Sequence, residues 1–179
     1  ATITDLDYET QYCFAVSAVG YNGESERSDQ ACAFTGDAPP APHFTPVYTG
    51  AALDPMRIYV QAATYAGEPL HQDFEIGIYD DSLCVGYVML DDTLTSSFVE
   101  IVTSADDLFT AEADGFTEGN SISFRLYSRT LDTEITDVTA EFAVNNSSTF
   151  QRNSSTNVSL SAAELGPREC GESVPQWTV

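Results

Sequence analysis

Residues 73–90 read DFEIGIYDDSLCVGYVML. Phe74, Ile76 and Ile78 alternate with Glu75, Gly77 and Tyr79, the period of a strand that buries one face. Asp80, Asp81 and Ser82 supply a polar turn. The run that follows, Leu83 to Leu90, is apolar enough to be expected buried on both sides. The stretch therefore predicts a core β-hairpin with two acids at its tip and Cys84 just past it.

Outward from this hairpin the same period recurs. Met56, Ile58 and Val60 alternate in one run, and Ile122, Phe124 and Leu126 in another. In SSFVEIVTS, Phe98, Glu100 and Val102 face one way and Val99 and Ile101 the other, which predicts a central strand. Ile135, Val138, Ala140 and Phe142 mark a further strand or bulged pair, and Val158 and Leu160 a short final one. Turn signals at Ala66-Gly67, Asp80-Asp81, Asp91-Asp92, Asp114-Gly115 and Glu118-Gly119-Asn120 separate the runs, as a sandwich or jelly roll requires. No window carries the 3.6-residue period of an amphipathic helix.

Before this region, Asp37 to Pro46 (DAPPAPHFTP) is a Pro-rich, extended linker. Residues 1–36 carry alternating Tyr12, Phe14, Val16 and Ala18, then the turn Tyr21-Asn22-Gly23-Glu24-Ser25, then Ala31, Ala33 and Phe34. Ile3 and Leu6 are expected to close an earlier short strand. A segment below about 40 residues seldom builds its own core. Either the chain is a piece of a larger protein, or another domain or another copy covers this half.

Charge narrows the function classes. There are 28 acids against six basic residues, all Arg, for a net charge of −22. Such a surface excludes nucleic acid and anionic membranes as expected partners. No run approaches the roughly 18 consecutive apolar residues of a membrane span. Four cysteines, Cys13, Cys32, Cys84 and Cys170, lack C-x-x-C spacing and read as disulfides of an extracellular protein. Asn145, Asn146, Asn153 and Asn157 each head an N-x-[ST] sequon, which predicts an exposed, glycosylated strip.

Candidate chemistry concentrates in one loop. Asp106, Asp107, Glu112 and Asp114 place hard oxygen donors within about ten residues, as calcium requires. The EF-hand ladder is absent, and solvated carboxylates are the competing explanation. Paired carboxylates also suit glycoside hydrolysis, but one Trp, in the tail, is poor support for a sugar cleft. His43 lies in the linker and His71 in a turn, with no G-x-S-x-G and no phosphate loop, so an enzyme is not expected.

Two resemblances add to this reading. Leu6-x-x-x-Thr10-x-Tyr12, Val16-x-Ala18-Val19, Gly23-Glu24-Ser25 and Ser28 resemble the last three strands of a fibronectin type III domain. The likeness implies a tyrosine corner at Tyr12 and a disulfide between Cys13 and Cys32 on adjacent hairpin strands. Cys170 is then the partner left for Cys84, although four cysteines permit three connectivities. Residues 43–160, from HFTPVYTG through FEIGIYDDSLCVGYVML to DGFTEGNSISFRLY, resemble a β-sandwich module of large bacterial secreted and surface proteins that also carry fibronectin type III repeats.

The expected architecture is all-β. Residues 1–36 form a partial fibronectin type III (immunoglobulin-like) sandwich, 37–46 the linker, and 47–165 a second β-sandwich or jelly roll. Residues 166–179 are a tail holding Trp177, whose end, Val174 to Val179, is a candidate donated strand. The expected function is an extracellular structural subunit or segment of a surface fibre or adhesin that self-associates. The alternative is a carbohydrate-binding accessory module that presents tyrosines such as Tyr48, Tyr59, Tyr65, Tyr79, Tyr87 and Tyr127 to surface glycans.

Overall fold

The structure, a computed structural model, describes residues 3–95 and 97–164. They contain strands and turns and no helix. The chain divides into two units, Ala1–Ala41 and Pro42–Val179.

The first unit is a ribbon of four short strands. β1 (Gln11–Phe14) pairs antiparallel with β4 (Ala31–Phe34), setting Cys13 opposite Cys32 in a disulfide. β2 (Val19–Gly20) and β3 (Gly23–Glu24) form a hairpin closed by Tyr21-Asn22, with Gly23 at φ +117°. The expected continuous strand through Ala18 is broken. Between β1 and β2 the serine hydroxyls of Ser28 and Ser25 accept the N–H groups of Val16 and Ala18, so side chains stand in for ladder carbonyls. The expected strand at Ile3–Leu6 does not form. Asp5 (φ 60°) and Glu9 (φ 50°) take left-handed backbone there, which no strand accommodates.

The described residues of the second unit form nine strands in two sheets. They are β5 (Met56–Tyr65), β6 (Glu68–Pro69), β7 (Phe74–Asp80), β8 (Leu83–Met89), β9 (Val99–Thr103), β10 (Ser123–Ser128), β11 (Thr133–Ile135), β12 (Thr139–Phe142) and β13 (Ser155–Ala162). One sheet runs β11-β10-β7-β8. The other runs β12-β13-β5-β6, with β9 also on β5. Alternation sends Met56, Ile58 and Val60 of β5 and Val158 and Leu160 of β13 into the same apolar core as Phe74, Ile76 and Ile78 of β7 and Phe124 and Leu126 of β10. Each such side chain contributes about 1.5–3 kcal/mol by leaving water. Phe116 and Phe150, both fully buried, stack at 4.7 Å within the same core.

Five strand assignments change. β7 is the strand buried on both faces, whereas β8 is, among the described residues, an edge strand with a half-exposed C-terminal part. The reason is residues 42–47, which lie as a strap on the outer face. Phe44 packs flat over Gly77, where a Cβ would sit 2.9 Å from its ring, and Val47 N–H donates to the Cys84 carbonyl. β9, expected to be central, pairs only with β5 among the described residues. The run Ile135–Phe142 is two strands in different sheets, because the chain crosses over between β11 and β12. Val158–Leu160 belongs to an eight-residue strand that pairs parallel with β5 over its length and antiparallel with β12.

Gly115 tests the packing most sharply. A Cβ there would lie 2.3 Å from the Ala105 carbonyl oxygen, where Phe116 N–H bonds Ser104 and Asp106 N–H bonds Phe116. Gly115→Ala is expected to lower unfolding stability by about 3 kcal/mol or more, since backbone cannot step aside as a side chain can. Gly36→Ala, with open space around it, is expected to be neutral. Urea denaturation of both variants checks this, and matching midpoints would refute the packing.

Candidate functional site

A polar cluster covers the outer face of the β11-β10-β7-β8 sheet. Because β7 alternates, Glu75, Gly77 and Tyr79 point away from the core, and register sets Arg125 beside Gly77 and Tyr127 beside Glu75. Glu75 is fully buried. Its Oε1 accepts from Arg129 Nη2 at 2.9 Å, and its Oε2 from the N–H groups of His43 (2.9 Å) and Phe44 (3.4 Å). One carboxylate thus anchors the strap and an arginine together.

The remaining groups close over this anchor. The His43 ring stacks on Tyr127 at 3.7 Å, and its Nε2 lies 3.1 Å from Glu134 Oε2. Arg125 bonds Glu134 Oε1 at 2.8 Å and places its guanidinium 3.8 Å from the centre of the Tyr79 ring. Burial pushes the Glu134 carboxyl upward, but hydrogen bonds from Arg125 and His43 outweigh it and hold it below its ordinary value. Burial pushes Tyr79 up to about 12 and raises the Cys84 thiol, so both stay neutral at pH 7. Arranged this way, the face fixes the strap.

The predicted calcium loop does something else with its oxygens. Asp106 Oδ1 accepts from Asp114 N–H, Asp114 Oδ1 from Asp107 N–H, and Asp107 Oδ1 from Phe109 N–H, at 2.9, 2.9 and 3.0 Å. Glu112 is exposed, and its main-chain carbonyl receives Thr110 Oγ1. The four acids therefore do not converge. Among the described residues no group of three or more His, Cys, Asp or Glu side chains could hold a metal ion. At the β7–β8 tip, Asp80 is buried and accepts from Thr117 N–H and Asn120 Nδ2, each at 2.8 Å, while Asp81 takes the left-handed turn position. The signal that these acids serve the backbone is their placement beside turn residues.

The sequon asparagines separate into two pairs. Asn145 and Asn153 are exposed at positive φ, and Asn153 Nδ2 donates to Asp54. Asn146 and Asn157 face one another, with Asn146 Oδ1 accepting both the main-chain N–H and Nδ2 of Asn157, and Asn157 lies on the inner strand β13. Of the cysteines, Cys13 and Cys32 are joined. Cys84 is buried and makes no disulfide with a described residue. Its expected partner Cys170, with Trp177 and the candidate donated strand Val174–Val179, lies outside the described residues. The tyrosines of the second unit are all at least half-buried, Tyr48 through its bond to the Val102 carbonyl and Tyr59 edge-on to Phe98. None of these six tyrosines is an exposed residue.

The ribbon of the first unit offers the opposite arrangement. None of its described residues is buried. Val16, Val19, Tyr21 and Phe34 are 70%, 82%, 106% and 71% exposed, and Tyr12 and Phe14 stack along β1 at 6.4 Å. Exposed apolar side chains at this density mark a surface that gains by being covered.

Two outcomes follow for the anchored face. Glu75→Ala strands Arg129 and two main-chain N–H groups, and is expected to cost about 3–5 kcal/mol. Hydrogen exchange should show the His43 and Phe44 amides losing protection, and unchanged exchange would refute the anchor. The second outcome concerns acid. Glu134 and Asp73 titrate below their ordinary values of 4.5 and 3.8 when folded, so the stability they supply is present at neutral pH. It is lost as pH falls through and below that range. Denaturation midpoints between pH 7 and 3 should drop accordingly, and Glu134→Gln should flatten the slope.

No family model matches the chain, and no curated protein or solved structure matches it either.

Proposed function

We propose that this chain is an extracellular structural protein, a subunit or segment of a surface fibre or adhesin, that associates with copies of itself through its N-terminal ribbon. One observation carries the reading. Residues 3–41 form a disulfide-stapled ribbon without a single buried side chain, while its valines, tyrosines and phenylalanines face water. A second copy that covers the apolar ribbon removes that surface from water and pairs its open strand edges. The Cys13–Cys32 bond supports an oxidising, extracellular setting.

The fibronectin-like character of this half gains support from Tyr12. Its hydroxyl receives the Asp7 N–H at 3.0 Å and donates to the Asp7 carboxylate at 3.1 Å, a return to the chain five residues upstream of the kind made by a tyrosine corner. Asn145 and Asn153 are the sequon positions at which the assembled surface would carry glycan.

Sedimentation equilibrium tests the proposal. Assembly is expected to grow with protein concentration and to strengthen with salt, because copies carrying −22 repel until screened. Phe14→Asp and Val19→Asp should each weaken association by about tenfold or more. A monomer at every concentration, in low and high salt alike, would sink the reading.

A further inference from the structure

We propose that a cleft at one end of the second unit binds a small quaternary ammonium compound. The proposal uses residues of that unit alone and does not rest on self-association. The cleft, of about 310 Å³, is lined chiefly by Tyr65, Glu68, His71, Asp73, Phe74 and Leu131.

The local sequence builds it. Ala66 (φ 53°) and Gly67 (φ 85°) both take left-handed backbone, the requirement of a two-residue hairpin turn that sets Tyr65 opposite Glu68. Asp73 ties the opposite wall. Its Oδ1 accepts from Thr130 N–H (2.9 Å) and Oγ1 (2.8 Å), and its Oδ2 from Ser128 Oγ (2.6 Å), which holds the β10–β11 turn against the start of β7. Three rings bound the space without stacking on one another. Tyr65 lies 5.7 Å from Phe74 at 48°, and His71 5.3 Å from Phe74 at 81°. Such mutually tilted rings form walls, and a cation held over the face of Tyr65 or Phe74, within about 6 Å of its centre, is attracted by that ring.

The electrostatics select the ligand. Among the described residues no Arg lines the cleft and neither Glu68 nor Asp73 enters an ion pair, and the chain has no Lys. Burial works against the charge on Asp73, but the hydrogen bonds from Ser128 and Thr130 keep it ionised at neutral pH. Those same bonds already fill three acceptor positions on Asp73. A quaternary ammonium has no N–H to satisfy. It needs only aromatic faces and a negative field, and both are present.

Calorimetric and NMR titrations of the full chain test this with tetramethylammonium and choline, against 3,3-dimethylbutan-1-ol as the neutral isostere of choline. Saturable binding of both cations is expected, with none of the alcohol. Tyr65→Leu keeps apolar bulk and Glu68→Gln alters an exposed side chain, so both variants should fold. Each should weaken binding by about 3- to 30-fold. Equal affinity for the alcohol, absence of saturation, or unchanged affinity in both variants would overturn the proposal.

Discussion

A carboxylate with no exposure to solvent, Glu75, is the interaction on which the second unit's outer face depends. Charge is costly to bury unless it is paired and its lone pairs are filled. Here one oxygen takes Arg129 and the other takes the main-chain N–H groups of His43 and Phe44. The second partner is the consequential one. By binding the strap's backbone, Glu75 brings Phe44 down over Gly77 and His43 against Tyr127. That converts β7 from a strand with one wet face into one buried on both. A residue that reads in sequence as the solvent side of an alternation is in fact an anchor.

The two units answer the same physical problem in opposite ways. In the second, two sheets share one apolar core, and the first and last long strands, β5 and β13, pair in parallel to close it. In the first, a ribbon held by one disulfide keeps every described side chain at least partly in water. Small segments lack the volume to enclose a core, and a covalent staple limits the unfolded chain without creating an interior. Surface of that kind makes association the natural reading of this half.

Acidity, extreme in the chain as a whole, is managed locally. Arg57, Arg125, Arg129 and Arg152 each pair with a carboxylate, Arg152 with both Asp54 and Glu118. Asp73, Asp80, Asp106, Asp107 and Asp114 serve instead as acceptors for backbone and hydroxyl donors that close turns. The acid loop therefore holds its own backbone together. Composition alone could not distinguish that use from cation binding, because both want the same oxygens in the same short span.

The all-β class, the hairpin at Asp80–Leu83 and the Tyr65–Glu68 turn were legible in the sequence, because period-2 alternation and turn residues are local properties. So was the ribbon's shortage of core. The tertiary structure alone decided that β13 lies parallel to β5, that β9 and β8 are edges among the described residues, and that β11 and β12 part between two sheets. Alternation says which side of a strand is buried but not which neighbour it pairs with, and parallel partners lie far apart along the chain. The candidate sites were hidden for the same reason. Glu75, Arg129 and His43 are spread over 87 positions, and the cleft draws Tyr65 and Leu131 from strands and turns that only folding brings together.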